Sequence, residues 1–163
     1  MSEVVVRTDG REATQAVGEA LAGLIQPGDL VLLSGEMGAG KTALTQGLGR
    51  GLGVTDRITS PTFTIAHQYA GRLTVHHLDV YRLEHLNEAL DVGLGEILDE
   101  GALVIIEWGD AILPVLPRDF LEVRLAFGDG DDDRELRFRP IGSRWAARQR
   151  SLADLMAPWG GPC

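Results

Sequence analysis

The sequence predicts an α/β domain on a mixed, mostly parallel sheet flanked by helices. Two wholly apolar runs, 30–33 and 103–106, read as strands covered on both faces. Helix-period stretches alternate with strand patterns along the chain. Two pairs of alternating segments, 65–69 with 73–78 and 121–127 with 135–139, are spaced as hairpins and make the sheet mixed. At 163 residues, 44% of them hydrophobic, the chain has room for one such domain. That domain is assigned to 1–156, with a mobile tail over 157–163.

The elements follow in order. Residues 4–6 are a β-branched run and a first strand. Asp9 with Glu12 three residues on has the form of a capping box, opening a helix through about residue 25. Ala13, Ala16, Val17, Ala20, Leu21 and Leu24 supply its buried stripe. Pro27-Gly28-Asp29 turns the chain into the first apolar strand. A glycine-rich loop leads to a second helix, from residue 41 to about 52, closed by Gly51 and Gly53. Residues 55–64 are polar and read as loop, and Ala70-Gly71-Arg72 turns the first hairpin. A helical stretch over 84–99, interrupted by Gly93 and Gly95, leads to the second apolar strand. The acidic turn 128–133 of the second hairpin is expected only to be solvated, and a last helix spans 143–156.

Charge narrows the function classes. Fifteen basic residues against 24 acidic ones give a net charge of −9, a poor basis for gripping a phosphate backbone unaided. No apolar run approaches the roughly 20 residues of a membrane span. The start, MSEVVVRTDG, lacks a signal-peptide pattern, and the single cysteine, Cys163, allows no intrachain disulfide. The expected location is cytoplasmic. Fourteen of the fifteen basic residues are Arg, and the one lysine is Lys41.

That lysine stands in the segment Gly35-Glu36-Met37-Gly38-Ala39-Gly40-Lys41-Thr42, which fits G-x-x-x-x-G-K-[ST] at every position. Glycines let the backbone wrap with its N–H groups inward. The next helix presents its N-terminus, where free N–H groups and the dipole favour an anion. Lys41 is placed to reach β- and γ-phosphates and the Thr42 hydroxyl to ligate Mg²⁺. In a chain that otherwise uses Arg, the one Lys sits where a compact ammonium fits. With Lys41 used, no Asn-Lys-x-Asp guanine-reading motif can exist, so ATP is the expected nucleotide.

Such a loop needs a carboxylate to help hold Mg²⁺. Asp79 and Glu107 each follow an apolar strand run, at the carboxyl edge where open α/β sheets bind ligands. Each is read either as a metal-site acid or as a solvated strand end, the loop on the same edge favouring the first. Trp108 can shield the site, bind a partner or simply pack. Ser60 and Thr62, in Ser60-Pro61-Thr62-Phe63-Thr64, can sense a γ-phosphate as a switch does or serve as turn chemistry. Arg82 can contact phosphate, pair with an acid or face a partner. His76 and His77 fall on opposite faces of a hairpin strand and read as packing residues rather than zinc ligands.

The phrases GEMGAGKT, SPTFT, HLDVYR and IEW, in this order and spacing, resemble the bacterial TsaE family. The resemblance runs from Asp9 to about Trp108. Glu36-Met37 stands where the family commonly has Asp-Leu, and Ala43 where it has a second Thr, with no phosphate or metal ligand lost. The resemblance implies a small P-loop ATPase, slow in isolation, required for N6-threonylcarbamoyladenosine (t6A) formation at position 37 of tRNAs that read ANN codons. It implies ATP over residues 36–43, Thr42 and Glu107 at Mg²⁺, Asp79 as a Walker-type acid, and a base pocket near Arg11. It further implies docking on the TsaD transferase and its TsaB partner, which would hold the tRNA. Two other readings compete: a small-molecule P-loop kinase, and a nucleotide-gated binding module without significant turnover.

Overall fold

The computed structural model describes residues 3–36, 38–55, 58, 66–80, 99–108 and 119–160. Its seven strands form one sheet in the order β1-β7-β6-β2-β5-β4-β3. In chain order these are β1 Val4–Thr8, β2 Leu30–Gly35, β3 Ala66–Ala70, β4 Thr74–Val80, β5 Leu103–Trp108, β6 Phe120–Phe127 and β7 Arg134–Ile141. The two apolar runs are the sheet's centre: β2 lies between β5 and β6, parallel to both, and β5 is also parallel to β4. Three of the six neighbour pairings are therefore parallel, and the hairpins and β1 supply the antiparallel flanks.

Helices α1 (Arg11–Leu21) and α2 (Lys41–Gly51) share one core with β2, β5 and β6, where Val17, Leu21, Leu44 and Leu48 meet Leu33, Ile105 and Val123. Each such side chain removed from water contributes about 1.5–3 kcal/mol. The two helices cross at glycines. A Cβ on Gly47 would lie 1.8 Å from the Gln15 carbonyl oxygen, and one on Gly18 would lie 2.2 Å from that of Leu44. This contact corrects the expected stripe of α1. The buried positions are Thr14, Val17, Gly18 and Leu21, while Ala13, Ala16 and Ala20 are only partly covered. Backbone against backbone is the closest approach two helices can make, so the smallest residues mark the interface.

The expected capping box is absent. Gly10, not Asp9, is the N-cap of α1; its extended backbone leaves Asp9 one residue outside the helix, and no side chain caps the terminus. The Gly10 carbonyl accepts from the Thr14 amide at 3.1 Å and the Thr14 hydroxyl at 3.2 Å.

The last helix is two. One turn, α3 (Ser143–Ala146), is followed by α4 (Gln149–Met156). At the break the Arg148 amide bonds the Trp145 carbonyl, and its guanidinium grips the buried Asp29 carboxylate at 2.7 and 2.8 Å. The expected tail is anchored at its start: Ala157–Trp159 forms a 3-10 turn and Gly160 bridges to Val6. Among the described residues no helix is long and apolar enough to cross a membrane. Residues 81–98, holding Arg82 and most of the expected 84–99 helix, lie outside the described residues, as do 161–163.

Candidate functional site

The centre of the site is the turn from β2 into α2. Gly40 is the N-cap of α2 at φ 108°, a left-handed conformation costly to any residue with a Cβ, and no side chain caps the helix. The first amides of α2 are thus left for an anion. A Cβ on Gly35 would lie 2.5 Å from the Leu125 carbonyl, so β6 holds the loop's first residue close. The Ala39 amide bonds the Glu36 carbonyl at 3.0 Å, and Ala39 is fully buried. Lys41 donates from Nζ to the Gly35 carbonyl oxygen at 2.8 Å, folding its ammonium over the loop. Thr42 is half-buried in the first turn of α2 and Ala43 is buried beside it. Met37 lies outside the described residues.

Register brings the acids to this turn. Glu107 pairs with Leu33 on β2 and with Asp79 on β4, in one row across the sheet. It alternates with Ile105, so its side chain lies on the face that carries Leu33, α1 and α2. Glu107 is only 5% exposed. Its Oε1 lies 3.5 Å from His77 Nε2. The backbones of Asp79 and Trp108 fall in the same two strands; their side chains, and all of 59–65 including Ser60 and Thr62, lie outside the described residues. Thr42 and Glu107 offer the oxygen ligands that a hard divalent cation requires. Among the described residues, Oε1 of Glu107 is buried with no hydrogen-bond partner. Burial holds His76, on the other face of β4, below the ordinary imidazole range, with Glu100 opposing.

A pocket of about 560 Å³ opens beside the loop, lined by Thr8, Asp9, Ala13, Phe127, Arg134 and Trp159 among others. Arg134 connects it to the loop, donating to the Gly38 carbonyl oxygen at 3.2 Å and lying 4.7 Å over the Phe127 ring. Phe127 is 48% exposed. The turn 128–133 is more than solvated, since Asp129 and Asp133 also line this pocket. Arg11 does not line it; its guanidinium donates to Gln46 on α2 at 2.6 Å. The start of α1 borders the pocket through Asp9 and Ala13 instead. Sequence reasoning missed Phe127, Arg134 and Trp159. The available signal was the phase of β6: Leu121, Val123 and Leu125 are buried, and Phe127 continues their phase past the core's edge.

A buried parallel strand, a glycine loop and an uncapped helix in direct succession define the class, the P-loop NTPase-type α/β proteins. Comparison with known proteins narrows it. The TsaE family, described as "Threonylcarbamoyl adenosine biosynthesis protein TsaE", matches residues 8–136, and the chain belongs to it. The chain is 39% identical over 146 residues to the tRNA threonylcarbamoyladenosine biosynthesis protein TsaE of Bacillus subtilis, covering 89% of this chain and 90% of that one. It is 43% identical over 143 residues to the protein of that name from Streptomyces coelicolor, covering 83% and 96%. The crystal structure of Bacillus subtilis YdiB superposes with a TM-score of 0.79 at 33% identity, over 94% of this chain and 95% of that one.

Proposed function

We propose that this protein binds ATP with Mg²⁺ and hydrolyses it, slowly alone, to support the TsaD–TsaB complex in forming t6A at position 37 of tRNAs that read ANN codons. One observation carries the reading. The uncapped start of α2, with Lys41 and Thr42 in its first turn, stands on the sheet face that presents the buried Glu107 carboxylate. An anion cradle beside an acid is the combination phosphoryl transfer needs. Residues 36–43 hold the phosphates, Lys41 neutralises their charge, and Thr42 and Glu107 supply ligands for Mg²⁺. Asp79, in register with Glu107, is the Walker-type acid. The metal supplies charge neutralisation when bound; the chain supplies position. The pocket between Phe127 and the start of α1 is assigned to the base, with the Phe127 ring as a stacking surface.

Membership of the TsaE family and the names of the relatives support the place in tRNA modification. A net charge of −9 fits a protein that reaches tRNA through partners in the cytoplasm. Ser60, Thr62, Arg82 and Trp108 are the candidate contacts with those partners. A pull-down with TsaD and TsaB in ATP, ADP or no nucleotide tests the assignment. Capture that depends on the nucleotide supports it; no capture in any condition rejects it. Phosphorylation of a small molecule in a substrate screen would favour a kinase instead.

A further inference from the structure

His77 lies in mid β4, two residues before Asp79, on the face shared by Val75, Ile105 and Glu107. Its side chain is fully buried and that of Glu107 is 6% exposed. Among the described residues, neither ring nitrogen of His77 and not Oε1 of Glu107 has a hydrogen-bond partner. Buried polar atoms are normally satisfied, and Nε2 and Oε1, orphaned side by side, call for a reason. Their mutual distance gives one. Nε2 and Oε1 are 3.5 Å apart, a few tenths of an ångström beyond a made bond, so a small side-chain rotation joins them.

We propose that His77 is a positioning residue for Glu107. Its Nε2–H holds Oε1 and fixes the carboxylate's orientation, leaving the second oxygen as the ligand atom. An imidazole N–H on a ligating carboxylate is a recurrent way of orienting a metal site. The proposal rests on the reading of Glu107 as a ligand, and it gives the burial of an unpaired histidine a function beyond packing. Isosteric donors should replace His77; apolar residues of similar volume should not.

The test titrates Mg²⁺ against binding of a fluorescent ATP analogue to the full chain, the His77→Leu variant and the His77→Gln variant. His77→Leu should raise the Mg²⁺ concentration for half-maximal effect by about 10- to 100-fold, the usual cost of losing such a partner. Analogue binding in EDTA should stay within about twofold, and His77→Gln, whose amide nitrogen reaches as far as Nε2, should recover most of the loss. An unchanged Mg²⁺ midpoint in His77→Leu, or an equal loss in both variants, would overturn the proposal. If His77→Leu does not fold, NMR of the ¹⁵N-histidine-labelled unmodified chain decides. The proposal requires a slowly exchanging Nε2–H proton that moves on adding Mg²⁺ with ATP and is absent in Glu107→Ala. Its absence from the unmodified chain counts against the bond. An unmodified chain indifferent to Mg²⁺ overturns the ligand reading and this proposal together; a Mg²⁺-dependent chain with an indifferent His77→Leu overturns this proposal alone.

Discussion

Arg134 donates from its guanidinium to the Gly38 carbonyl oxygen at 3.2 Å, joining the second hairpin to the phosphate loop. The same guanidinium bonds the carbonyls of Asp131 and Asp133 and covers the Phe127 ring. One side chain thus links the acidic turn, the aromatic wall of the pocket and the loop that precedes α2.

If that wall receives the base, its loss should be felt by nucleosides and not by phosphate alone. Phe127→Ala should weaken ATP binding by about 5- to 150-fold, the range of one lost base–aromatic stack at 1–3 kcal/mol. Binding of inorganic triphosphate should change by less than about twofold, since the phosphate contacts remain. Calorimetry with both ligands separates the outcomes; equal losses would move the base elsewhere.

The loop residues make a second comparison. Lys41→Ala should abolish or severely weaken ATP binding, while Thr42→Ala should act mainly through the Mg²⁺ titration. Glu107→Ala should lose hydrolysis more than nucleotide binding. An effect below about tenfold, or 1.4 kcal/mol, in the property named would count against a central role.

The Asp29–Arg148 pair lies at the opposite end of β2 and bears on folding alone. Asp29 is fully buried, takes both terminal nitrogens of Arg148, and also lies 3.1 Å from Arg144 Nε. Arg148 stacks 3.8 Å over Trp145 and bonds the Leu24 carbonyl, so it fastens the C-terminal helices to the turn before β2. Arg148→Ala should cost about 1.5–3 kcal/mol, because Asp29 loses its bidentate partner but keeps Arg144 and the Gln26 amide. Asp29→Asn with Arg148→Ala should recover part of that in denaturant unfolding, as the buried group that lost its bidentate partner is then uncharged.

His76 gives a pH dependence. Burial lowers its pKa, so between the folded and unfolded values the unfolded chain binds more protons. Its contribution to stability is intact above the ordinary histidine value and is lost as pH falls through the depressed one. His76→Asn should flatten the acid side of the stability profile in that window. An unchanged slope would place the histidine in water.

How much of this was legible in the sequence follows from the range of each interaction. The loop 35–42 is local: eight consecutive residues carry its glycines, lysine and threonine, and the strand and helix around it announce themselves by pattern. The central strands were legible because burial on both faces leaves no polar phase. The pocket was not, since Thr8, Phe127, Arg134 and Trp159 come from three distant segments that only the sheet order brings together. The cap of α1 was misread because Asp9 with Glu12 imitates a capping box while Gly10 takes the position. The split between α3 and α4 was hidden for a similar reason: Arg148 leaves the helical path to meet Asp29, a partner 119 residues away.

The most direct test of the account is ATP hydrolysis measured with the chain alone, with TsaD and TsaB added, and with Lys41→Ala in both conditions. Turnover should be slow alone, faster with the partners, and at background for Lys41→Ala throughout. Hydrolysis that stays at background even with both partners present would contradict it.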